Sequence, residues 1–129
     1  MPINIRLGQL VAAVEAKIIE KIETGRPPWG VRFACAKLCA AVLEEYQRYA
    51  MIRDELVRRY GVLDKEKSVI TISHPDNTAE NMQAFHDGLN AVLAGNVDIA
   101  CEPLSSARLG DDSPLTIGDI RMLGPLLVE

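Results

Sequence analysis

WGVRFACAKLCAAVLEEYQRYAMIRDELVRRY, residues Trp29 to Tyr60, holds no proline, and its one glycine, Gly30, falls in the first turn. A helix through this stretch extends roughly 45 Å, longer than a compact domain of this size is wide. Leu38, Val42, Tyr49, Ile52, Leu56 and Tyr60 recur at helical spacing along one stripe, and Cys35, Cys39, Leu43 and Tyr46 broaden it in the first half. The stripe therefore needs partner segments along its length, with different neighbours at its two ends. Glu44–Arg48, Asp54–Arg58 and Glu55–Arg59 are acid-before-base pairs four residues apart, which support an exposed helical face. Gly61 ends the helix.

Upstream, Leu7, Leu10, Val11, Val14, Ile18 and Ile22 predict a first helix over Ile5–Thr24. Gly25 stands where a left-handed C-terminal cap belongs. Arg26-Pro27-Pro28 breaks the chain, and Pro28 suits the first turn of the helix that follows. Downstream, the β-branched run Ser68–Ser73 predicts a strand. A further helix spans Thr78–Ala94, with Asn77 and Glu80 as its capping pair. Val97–Cys101 is a second strand, and strand, helix, strand suits a small parallel unit or an antiparallel ribbon. Pro103–Pro114 reads as a loop, and Thr116 with Asp119 opens a short helix over Ile117–Leu123 that Gly124-Pro125 closes. The fold class is mainly α with a minor β component: antiparallel helices built on one long helix, two short strands and a short C-terminal helix. The length suits a single domain, 1–129.

Hydrophobic residues make up 48% and charged residues 25%, so a folded core is expected, and with 5% aromatics it must be aliphatic. A net charge of −4 gives no electrostatic ground for nucleic-acid binding. Charges at Glu15, Lys17, Glu20 and Lys21 interrupt the first helix, so neither a signal peptide nor a membrane span is expected. Three dispersed cysteines make no disulfide framework, and synthesis in a reducing cytoplasm is the simplest reading.

No catalytic motif stands out. Cys35, Cys39, Cys101 and His86 could in principle supply four zinc ligands, but a helical CxxxC lacks the knuckle that structural zinc uses, and buried thiols are the simpler account. His74 and His86 have no nucleophile patterned beside them. Asp111 and Asp112 lack the spaced oxygen ligands of a calcium loop. Arg58, Arg59, Lys65 and Lys67 cluster where the helix dipole favours cations. We expect no catalytic residue, cofactor or metal. Trp29 beside Pro27 and Pro28 is either a packing staple or a rigid aromatic contact anchor. The candidate contact residues are Arg26, Pro27, Pro28, Trp29, Tyr49 and Tyr60.

The order of elements resembles small helical proteins encoded by tailed bacteriophages and prophages. A short first helix precedes Arg26-Pro27-Pro28. A long helix follows, with Lys37-Leu38, Glu45-Tyr46, Arg53 and Leu56, ending at Tyr60-Gly61. A charged insert, a further helix, Val97-Asp98-Ile99 and a terminal segment with Leu123 through Leu127 complete the pattern. The longer insert at Ser68–Ser73 departs from it. The resemblance implies a phage setting. The expectation is a non-enzymatic virion or assembly component that contacts itself or another phage protein. It would be made in the host cytoplasm and then carried in the particle, with no nucleic-acid or membrane partner. The alternative is an early protein that blocks a host defence factor or sequesters a small signal molecule.

Overall fold

A computed structural model describes residues 3–110 and 113–128. In chain order the elements are β1 (Ile3–Arg6), α1 (Leu7–Glu15), α2 (Ile18–Thr24), α3 (Trp29–Tyr60), β2 (Val62–Asp64) and β3 (Val69–Thr71). Then come α4 (Ala79–Leu93), β4 (Asn96–Ile99), β5 (Leu104–Ser105), α5 (Ser106–Leu109), α6 (Ile117–Leu123), a 3-10 turn over Gly124–Leu126, and β6 (Leu127–Val128). The long helix and the short C-terminal helix are those the sequence predicts, and the two predicted strands appear as β3 and β4; β1, β2, β5 and β6 are additional. The contacts gather into two units, one of residues 1–46 with 95–129 and one of residues 47–94, and the boundary between them falls within α3.

In the first unit, Ile3 and Ile5 are buried while Asn4 and Arg6 face out, so the N-terminus is a strand where the sequence reading began a helix at Ile5. Tertiary pairing decides this: β1 runs antiparallel to β4, with Ile3 opposite Ile99 and Ile5 opposite Val97. The Asn4 amide donates to Asp98 at 2.8 Å across the same pair. The expected single helix to Thr24 is two, because Lys17 adopts a left-handed conformation at φ 62°. Within α1 Ala13 is buried in place of Val14, and after the break Ile18, Ile19 and Ile22 carry the second buried face.

Helix α3 lies antiparallel to α1 and α2: the Cys39 thiol faces the Ile19 carbonyl at 3.9 Å, and the Tyr46 hydroxyl donates to Glu15 at 3.4 Å. Val31, Cys35, Leu38, Cys39 and Val42 supply its buried stripe in this unit. At about 1.5–3 kcal/mol per fully buried aliphatic side chain, that stripe outweighs any local propensity in fixing the helix. Gly25 has an ordinary φ of −75°, and the left-handed residue after α2 is Arg26, at 50°. Glycine serves closeness there, since a Cβ at position 25 would stand 2.9 Å from the Pro114 ring. The segment read as a loop contains β5 and α5; β5 pairs in parallel with β6, Leu104 opposite Leu127. Both Leu104 and Leu109 are core residues. Asp111 and Asp112 lie outside the described residues. The Thr116–Asp119 capping box forms in full.

In the second unit, β2 and β3 make an antiparallel hairpin with Leu63 opposite Ile70. Since β3 pairs with β2 and β4 with β1, no parallel strand–helix–strand unit forms. Helix α4 runs antiparallel to the end of α3. Asn77 donates to the Tyr60 and Ile72 carbonyls at 3.1 and 2.7 Å, and a Cβ at Gly88 would meet Leu56 at 3.1 Å. Asn77 is thereby spent on the end of α3, and the cap of α4 is Thr78, whose hydroxyl accepts from the Asn81 amide. The expected Asn77–Glu80 capping pair is replaced for that reason.

Candidate functional site

The two units bury their apolar residues unequally. Among the described residues of 47–94, only Tyr49 and Phe85 are buried apolar side chains; the remaining core belongs to the first unit. Met51, Ile52, Leu63, Val69 and Ile70 of the second unit are instead exposed. Two buried apolar side chains are a small core for a unit of 48 residues. Ile52, placed on the buried stripe by its spacing, is 42% exposed, and Met51 is 71% exposed.

Helical spacing sets Met51, Ile52, Glu55, Arg58 and Arg59 on one face of α3. All five are exposed. The expected Asp54–Arg58 and Glu55–Arg59 pairs do not form. Asp54 meets Arg53 at 3.5 Å, and Glu55, Arg58 and Arg59 make no ion pair among the described residues. Short hairpin strands at Leu63 and Ile70 add a second uncovered apolar pair to the same unit.

The contact residues expected from sequence separate in the structure. Trp29 is 82% exposed, and its ring is covered on one face by the Arg32 guanidinium, 3.7 Å from the centroid. Arg32 is held there by donating from Nε to the Pro27 carbonyl at 2.7 Å. Arg26 and Pro28 are exposed, and Arg26 with Pro27 lines a groove of about 390 Å³ that also takes in Arg32 and Cys35. Tyr60 is half-buried, with the Arg59 guanidinium 5.6 Å from its ring. Tyr49 is only 4% exposed, so in this conformation its ring offers no surface for a contact.

The thiols are packing residues in their surroundings. Cys35 and Cys39 are buried and Cys101 is half-buried, all three reduced. Burial, reinforced by the nearby Glu23, Cys35 and Cys101, pushes the Cys39 thiol up to about 12. Burial also raises Cys35, against the opposing positive charge of Arg108. Such thiols are poor nucleophiles at neutral pH. No three His, Cys, Asp or Glu side chains among the described residues stand close enough together to hold a metal ion. His74 accepts a hydrogen bond at Nδ1 from the Asp76 amide at 3.1 Å, a local turn contact. His86 is exposed with its ring edge-on to Phe85. Asp64 accepts from the Glu66 and Lys67 amides and closes the turn between β2 and β3.

One feature escaped the sequence reading altogether. An open cavity of about 640 Å³ lies in the first unit, between the first turns of α3 and the Ala100–Arg108 segment. Only the apolar Leu104 and Leu109, inside a stretch otherwise reading as loop, hinted that this segment packs. No described helix is long and apolar enough to cross a membrane. Compared with protein-family models, curated proteins and solved structures, the chain matches none.

Proposed function

We propose that this chain is a non-enzymatic structural or assembly protein that works as a homo-oligomer, joined through the uncovered face of α3 in its second unit. The observation that carries the reading is the unequal burial. The exposed Met51 and Ile52, and the Leu63–Ile70 pair of the hairpin, leave apolar surface that a partner would remove from water. The charges favour a second copy as that partner. Along α3 the acid Glu55 precedes the bases Arg58 and Arg59. Two such helices laid antiparallel about a two-fold axis near Val57 set each Glu55 against the Arg58 and Arg59 of the other copy, with Met51 and Ile52 flanking the charges at either end. This is the self-complementarity a two-fold interface requires. The resemblance to small phage proteins supports a place in virion structure or assembly.

Light scattering at micromolar concentration is expected to give at least twice the 14.2 kDa chain mass. Glu55→Arg alone, and Arg58→Glu with Arg59→Glu, should each weaken self-association, whereas mixing the two variants should restore a heteromer. A wild-type monomer at every concentration tested overturns the oligomer reading. Mass spectrometry of purified phage particles tests the virion assignment separately.

A further inference from the structure

The cavity of about 640 Å³ in the first unit has the size of a small-molecule site. Val31 and Leu104, both buried, give it an apolar wall, and Lys37 and Arg108 line it as well. Neither cation forms an ion pair among the described residues. Glu102 is the one carboxylate among the lining residues, so the lining is net positive in a chain whose net charge is −4. Arg108 is fixed by one donated bond, Nη2 to the Gly30 carbonyl at 3.0 Å, which leaves the rest of its fork to bind an anion. Beside the cations stands Phe33, 78% exposed at the cavity wall in a chain with only two phenylalanines. The Lys37 ammonium lies 5.8 Å from the Phe33 ring centroid. A ligand that stacks on the ring thus holds its charged group within reach of the ammonium.

We propose that this cavity binds a small aromatic anion, its charged group between Lys37 and Arg108 and its ring against Phe33. Apolar walls and an aromatic platform favour a planar body, and the two cations favour a phosphate or a carboxylate. The site uses first-unit residues alone and does not depend on the oligomer proposed above.

Calorimetric titration of the full chain with 5′-AMP and with 2-naphthoate distinguishes the phosphate source from the carboxylate source. Adenosine and inorganic phosphate are controls for ring without charge and charge without ring. At least one aromatic anion should bind about tenfold or more tightly than either control. Lys37→Glu and Phe33→Ala alter exposed side chains, and each should weaken that binding about tenfold with the circular dichroism spectrum unchanged. No binding by either aromatic anion in the millimolar range overturns the proposal. Inorganic phosphate binding as tightly as 5′-AMP, or binding indifferent to both substitutions, overturns it equally.

Discussion

Trp29→Ala separates a packing staple from a contact residue, and the structure sets the size of the effect. With the side chain 82% exposed, roughly 45 Å² of an aromatic surface of about 250 Å² is covered. Losing that coverage costs about 1 kcal/mol at ~25 cal/mol per Å². The Arg32 guanidinium over the ring adds about 0.5–1 kcal/mol, the range for an exposed cation–π contact. The total is at most about 2 kcal/mol, whereas truncating a core tryptophan costs about 3–5 kcal/mol. Urea unfolding followed by circular dichroism measures the loss, in conditions where the protein is dissociated. Trp29 is the sole tryptophan, so its fluorescence reports the site directly. In dilute solution its emission should resemble that of the unfolded chain. If the ring is a contact residue, rising concentration should shift the emission to the blue and protect it from a soluble quencher, and Trp29→Ala should weaken association. A stability loss of about 3 kcal/mol or more would refute the argument from exposure. Unchanged association in the variant would retire Trp29 as a contact residue.

Gly61→Ala should destabilise the protein, reversing the gain of about 0.4–1 kcal/mol usual for glycine-to-alanine changes at unstrained sites. The new methyl would stand 2.6 Å from the Ile70 side chain and 3.1 Å from the Thr71 carbonyl; a raised urea midpoint would contradict this packing. The Lys21 ammonium, 2.8 Å away, and the Thr116 amide hold the Asp119 carboxyl below its ordinary range. Because the folded state favours the ionised form, this contribution to stability is complete above the ordinary carboxylate range and is lost as pH falls through the depressed folded value. Asp119→Asn should flatten the acid limb of a pH–stability curve, and an unchanged limb would count against the bond. Cys101 should react with an alkylating reagent in the native protein, with Cys35 and Cys39 reacting only on unfolding, as mass spectrometry of the adducts would show. With Cys39 pushed up to about 12, stability should fall as pH rises above the ordinary thiol range, since the unfolded chain ionises there and the folded one does not.

The sequence by itself determines the features whose causes lie within a few residues of one another. Helix α3 follows from 32 residues without a breaker, its ends follow from Pro28 and Gly61, and the Thr116–Asp119 box closes over three residues. It also carries the widening stripe that foretold different neighbours for the two ends of α3, which the two units supply. The alternation of Ile3–Arg6 is in the sequence too, but a helix read from Ile5 overlaps its second half. Only the tertiary structure decided the rest. β1 is a strand because β4, some ninety residues away in the chain, offers it a partner. The left-handed Lys17 interrupts a periodicity that reads as continuous, and Asn77 leaves its own helix to satisfy the end of another. Spacing places Ile52 on the apolar stripe just as it places Val42, yet one is exposed and the other fully buried. Periodicity fixes which side chains share a face of a helix; whether that face is covered depends on segments distant in the chain, and the cavity lined by Phe33, Lys37 and Arg108 arises from the same long-range packing.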